Sequence, residues 1–164
     1  MTRDEFLSLF GSVYEHSPWV AEALAGAGLD TDADSAAGLA ARMATVIDGA
    51  SDKTKLALLR AHPDLAGALA LAGRMTASST SEQASAGLDR CSPEELKRFR
   101  ELNAAYTAKF GFPFILAVRG YQRDEILDIF VQRLENSPEA EFEEALSQVK
   151  RVAGLRIQDR FNAG

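Results

Sequence analysis

At 164 residues, with 46% hydrophobic and 26% charged side chains and a net charge of −6, the sequence has the size of one domain, able to bury about 70% of its unfolded surface. Acidic and basic residues are interspersed, which excludes the clustered basic face of a nucleic-acid binder, and no apolar run approaches the roughly 20 residues that span a membrane. The single cysteine, Cys91, excludes an intramolecular disulfide, and His16 and His62 complete no H-x₃₋₅-H or C-x₂-C metal spacing with it. No signal peptide is expected, because Thr2-Arg3-Asp4-Glu5 is charged and no apolar segment follows it.

Thr2 and Glu5 form a capping box, and Phe6, Leu9, Phe10 and Val13 behind it keep helical spacing to about His16. Ser17-Pro18 opens a second helix with Trp19, Val20, Ala23 and Leu24 on its apolar face, closed by Gly26 and Gly28. Ser35 caps a helix through about Asp48, and Ser51-Asp52 starts the next, in which Leu56 and Leu59 lead to His62. Gly67 to Arg74 reads as wholly or partly helical. Ser79 begins a short helix ending near Gly87. Ser92-Pro93-Glu94-Glu95 opens a helix to about Phe110, with Leu96, Phe99, Leu102, Asn103 and Tyr106 on one face. Two helices finish the chain, from Asp124 to about Glu135 and from Ser137-Pro138 to about Phe161.

Residues 111–120 break this pattern. Phe112 to Val118 is continuously apolar between Gly111 and Gly120. The run resembles a buried strand, yet no other segment supplies a strand to pair with it. The reading is therefore a buried, extended connector whose unpaired N–H groups are available to a ligand, or simply a hydrophobic linker. The expected fold is an all-α, single-domain bundle of seven to eight helices with this one connector, spanning residues 1–164.

Ala61 to Gln83 carries the chemistry-bearing residues. His62 ends an apolar helical pattern, and Pro63 pushes it out of helical conformation. Glu82 and Gln83 follow the serine cluster 78–81. Without any function, Ser79 and Glu82 would be a capping box and His62 a cap or a satisfied core residue. His16 reads as a helix-end charge or a tether between helices, with an active-site group as the functional alternative. Cys91 reads as structural, since only Arg90 beside it is basic.

His62-Pro63-Asp64-Leu65-Ala66-Gly67, followed by Ser79-x-x-Glu82-Gln83-x-x-Ala86-Gly87-Leu88-Asp89, resembles the 2-oxo-4-hydroxy-4-carboxy-5-ureidoimidazoline (OHCU) decarboxylases of urate breakdown. Three further blocks are similar to that family in the same order. They are Tyr14-Glu15-His16-Ser17-Pro18-Trp19, Leu102-Asn103-x-x-Tyr106 running into Lys109 to Ile115, and Leu155-Arg156-Ile157-x-Asp159. Met75 stands where a leucine is usual, and Asn162-Ala163-Gly164 lacks the peroxisomal Ser-Lys-Leu of some relatives.

The resemblance implies a carboxy-lyase that converts OHCU to (S)-allantoin and CO₂ without metal or organic cofactor. It implies His62, Glu82 and Arg156 as catalytic residues. Pro63, Ser79, Glu82, Gln83, Phe114, Ile115, Leu116 and Val118 would be substrate-binding. His62 would be the general acid/base. Arg156 would act on a ring carbonyl or against Glu82, with a helix-surface salt bridge as its non-functional reading. The resemblance also allows a homodimer, and a cytoplasmic location is expected. Two rivals remain: a related ureide enzyme on the same scaffold, and a non-catalytic helical interaction module whose side chains His62, Glu82 and Arg156 enclose no cavity.

Overall fold

The computed structural model describes residues 1–29, 31–67 and 75–164. Among the described residues there are eight α-helices and no strand: α1 (Arg3–Phe10), α2 (Trp19–Ala27), α3 (Ala36–Asp48), α4 (Asp52–Arg60), α5 (Ala77–Ser85), α6 (Pro93–Phe110), α7 (Arg123–Leu134) and α8 (Pro138–Ala163). The all-α class and helix number match the sequence expectation. The local signals also hold where a cap defines them. Thr2 and Glu5 close a reciprocal capping box on α1, Ser35 and Ser51 cap α3 and α4, and Ser92 with Glu95 boxes α6.

Two boundaries differ. Helix α1 stops at Phe10 rather than near His16. Gly11-Ser12 are weak helix formers, and His16 adopts a left-handed backbone with φ of 48°. Helix α5 begins at Ala77, because Thr76 rather than Ser79 is its cap. Thr76 is extended, and its Oγ1 accepts the N–H of Ser79 at 3.3 Å. The helix expected within Gly67 to Arg74 falls on residues 68–74, outside the described residues.

The chain forms two compact units. The first comprises residues 1–61 and 149–164, that is α1 to α4 with the C-terminal part of α8. Its buried side chains include Phe6, Phe10, Leu24, Leu39, Met43, Ile47 and Ile157. The rings of Phe6 and Phe10 lie 5.3 Å apart, and Phe161 reaches Phe10 at 5.7 Å. The Lys150 ammonium pairs with Asp48.

The second unit comprises residues 62–148. Tyr106 on α6 is at its centre, with the rings of Phe110, Phe112, Phe114 and Phe130 between 4.6 and 5.8 Å away. Helix α6 ends at Gly111, whose φ of 80° favours glycine and whose N–H returns to Thr107 O. The chain then leaves helical geometry. Phe112, Phe114, Ile115, Leu116, Ala117 and Val118 are all buried, as expected for the connector. Phe114 stacks on Phe130 of α7 at 3.9 Å with an interplanar angle of 10°.

Candidate active site

His62 follows Ala61, the residue that closes α4, and is half-buried; Pro63 after it is buried. The next three residues are held through their main chain by two side-chain amides. Gln83 Oε1 accepts the N–H of Ala66 at 3.0 Å, and Gln83 Nε2 donates to the carbonyl of Asp64 at 3.1 Å. Asn103 Nδ2 of α6 donates to the carbonyl of Leu65 at 3.0 Å. The loop needs this support because it is tightly wound. Ala66 is left-handed at φ 49°, a conformation that costs a residue with a Cβ about 1 kcal/mol or more. A Cβ on Gly67 would lie 2.5 Å from Asp64 Cβ, so only glycine fits there. Burial also raises the Asp64 carboxyl above the ordinary aspartate range.

Gln83 therefore connects the His62 loop to α5. Ser79 and Gln83 are four residues apart on that helix and both are buried, while Glu82 is half-buried. Because Thr76 is the cap, Ser79 and Glu82 do not form a capping box.

In the connector, Ile115 O accepts from Arg133 Nη1 at 2.5 Å, Ala117 N–H donates to Gln148 Oε1 at 3.0 Å, and Val118 O accepts from Tyr121 N–H at 3.0 Å. Among the described residues, the N–H groups of Phe114, Ile115, Leu116 and Val118 have no hydrogen-bond acceptor. Buried amides are nearly always paired, so this run offers a bound molecule donors that the fold does not use.

Arg156 belongs to the other unit. It is 3% exposed, so the surface salt bridge considered for it is excluded. Its Nη1 donates to Glu15 Oε2 at 2.9 Å and to the carbonyl of Val13 at 3.3 Å. Glu15 is 1% exposed. In the same unit, His16 is exposed and lines a hollow of about 500 Å³ with Ser17, Trp19, Lys53 and Thr54. It stands six residues beyond the end of α1, so it is not a helix C-terminal charge. The Cys91 thiol is pushed up by burial and by nearby Glu95, against thiolate reactivity.

Glu15, Asn103, Arg133, Glu141 and Gln148 were not singled out as site or support residues from sequence, although four carried a legible signal, Asn103 by sharing the apolar face of α6 with Phe99, Leu102 and Tyr106. Arg133 falls in line with Ile126 and Phe130 on α7, and Glu141 and Gln148 fall in line with Ala145 on α8. A charged or amide side chain on an apolar stripe must find a buried partner. Glu15 carried no such signal, lying in a turn. Among the described residues, no group of three or more His, Cys, Asp or Glu side chains is placed to hold a metal ion.

Chemically, the second unit carries an imidazole on the His62 loop, a carboxylate and a hydroxyl on α5, which Gln83 ties to that loop, and unused main-chain amides on the connector. That set suits a small polar heterocycle needing proton transfer. The OHCU decarboxylase family model matches residues 1–158. The 2-oxo-4-hydroxy-4-carboxy-5-ureidoimidazoline decarboxylase of Haloferax volcanii is 39% identical over 160 residues, covering 98% of this chain and 91% of the relative. That of Halalkalicoccus jeotgali is 40% identical over 157 residues, covering 96% and 85%. A crystal structure of OHCU decarboxylase in the presence of (S)-allantoin superposes with a TM-score of 0.71 at 25% identity, covering 97% of this chain and 98% of the other. With the family model spanning every candidate residue from His62 to Arg156, the chain belongs to the OHCU decarboxylase family.

Proposed function

We propose that this chain is a carboxy-lyase that decarboxylates OHCU to (S)-allantoin and CO₂ in urate degradation, with residues 1–164 acting as one functional domain. The observation that carries this reading is the family match over residues 1–158, supported by relatives at 39% and 40% identity over nearly the whole chain.

The carbon that loses CO₂ neighbours a C=N bond of the imidazoline ring. The electron pair of the breaking C–C bond becomes a C=C bond, and the C=N pair moves onto nitrogen, which takes up a proton from solvent. The substrate thus supplies its own electron sink. His62 takes the proton of the ring hydroxyl, which becomes the allantoin carbonyl, and returns one to a single face of the adjacent ring carbon. An imidazole suits both transfers near neutral pH. Glu82 accepts from the ureido N–H groups, and Ser79 and Gln83 complete the polar wall of the site. Pro63 sets the surface beside the imidazole. Main-chain groups of Phe114, Ile115, Leu116 and Val118 hold the heterocycle, and the apolar side chains of this run desolvate the carboxylate, which favours its departure as neutral CO₂.

Arg156, oriented by Glu15, acts on a ring carbonyl where negative charge develops. On the leaving carboxylate it would stabilise the ground state more than the transition state and slow the reaction. The assembly is a homodimer and the location cytoplasmic. Among the described residues no helix is long and apolar enough to cross a membrane.

The test is circular dichroism at an allantoin band, with urate converted in situ by urate oxidase and hydroxyisourate hydrolase. Rapid appearance of optically active (S)-allantoin is expected. Racemic product at the rate of the blank would sink the reading and direct attention to another ureido substrate.

A further inference from the structure

The connector is held at its two middle peptides by side chains outside the candidate catalytic set. Arg133 on α7 is buried, its side chain 8% exposed, and its guanidinium does four things. Nη1 donates to Ile115 O at 2.5 Å, Nε donates to Glu141 Oε1 at 2.7 Å, Nη2 lies 2.5 Å from the same oxygen, and the group's central carbon sits 4.4 Å from the centre of the Phe114 ring. Glu141 is fully buried and also accepts from Tyr106 Oη at 2.5 Å and Asn136 Nδ2 at 2.9 Å. Its negative charge, after burial, keeps the Tyr106 phenol protonated far above its usual range. On α8, Gln148 Oε1 accepts the N–H of Ala117 at 3.0 Å, and its Nε2 donates to Glu144 Oε1 at 2.9 Å, which fixes the orientation of the amide.

A buried ion pair is seldom better for stability than apolar residues of the same volume. What this one does is orient a peptide. In a trans peptide the carbonyl of one residue and the N–H of the next point in opposite directions. With Ile115 O held on Arg133, Leu116 N–H is turned away from Arg133. With Ala117 N–H held on Gln148, Leu116 O is turned away from Gln148. Among the described residues neither of these two Leu116 groups has a hydrogen-bond partner. One donor and one acceptor on a single residue, both unused by the fold, match the adjacent N–H and C=O of a urea or cyclic amide.

We propose that Gln148 and the Arg133–Glu141 pair are positioning residues that aim the Leu116 N–H and C=O at an amide edge of the substrate. This rests on the reading that the connector touches substrate. The role predicts an effect on substrate binding rather than on bond breaking.

Gln148 is the residue to test, because it is only half-buried and its loss leaves the core intact. Gln148→Met keeps the length and removes the acceptor for Ala117. The double variant Gln148→Glu with Glu144→Gln restores an acceptor at 148 and a donor at 144. In the coupled OHCU assay, Gln148→Met is expected to raise KM about tenfold with kcat within about twofold, and the double variant to return KM to within about twofold of the parent. A Gln148→Met protein with lowered Tm and parental KM would reduce Gln148 to a structural support and overturn the proposal. If the parent chain itself fails to accelerate (S)-allantoin formation, both this role and the proposed reaction fall. Parental activity with an unmoved KM defeats the positioning role alone.

Discussion

Arg156 Nη1 lies 2.9 Å from Glu15 Oε2, and the two side chains are 2% and 0% exposed. The pair joins the turn after α1 to the C-terminal helix across 141 residues of sequence. Removing one partner takes from the other its ion pair in the interior. Arg156→Met and Glu15→Met are each expected to lose about 3–5 kcal/mol of unfolding free energy. The double variant should lose less than the sum of the two by about 1–3 kcal/mol. Urea unfolding measures all three, and strict additivity would show that the two side chains do not depend on one another.

Under the proposed mechanism, His62→Asn removes the proton relay while the loop contacts to Asp64, Leu65 and Ala66 remain. The expected loss is about 10²- to 10⁴-fold in kcat, with KM nearly unchanged. A folded His62→Asn enzyme with parental turnover would remove His62 from the chemistry.

Gln83 makes two hydrogen bonds to the backbone after His62. Gln83→Met has nearly the same shape and supplies neither group, so a buried N–H and a part-buried carbonyl lose their partners. A stability loss of about 1–3 kcal/mol is expected, together with faster hydrogen exchange at the Ala66 amide. Unchanged exchange at Ala66 would show that the loop holds its left-handed turn unaided.

Asp64 has a pH signature of definite sign. Burial raises its carboxyl pKa in the folded state, so the folded chain binds a proton that the unfolded chain releases near pH 3.9. Stability contributed by this group therefore falls as pH rises from about 3.9 through the raised value. Asp64→Asn removes the penalty. Its Tm at pH 7 should exceed the parent's by about 1–3 °C, with the difference vanishing below the ordinary aspartate pKa. An equal difference at both pH values would assign the effect to something other than the charge.

Most of the secondary structure was legible in the chain because caps are local. Thr2 with Glu5 and Ser92 with Glu95 satisfy their helix ends within four residues. The same locality misled at α5, where Thr76 and Ser79, three positions apart, are both of residue types that cap helices. Nothing nearby in sequence says that Ser79 is buried and therefore unsuited to an end position. The connector was legible by elimination, since a lone apolar run between glycines has no strand to join.

By itself, the sequence determined the all-α class, the family and the identity of the candidate residues, because composition, caps and motif blocks are properties of short stretches. Only the tertiary structure decided which partners the buried polar side chains meet. Gln83 spends its amide on the backbone of Asp64 and Ala66, Arg156 is paired with Glu15, and Arg133, Glu141 and Gln148 hold the connector. These partners are separated by 8 to 141 residues. A buried polar group is satisfied by whatever the fold brings to it, and chain order does not say what that will be.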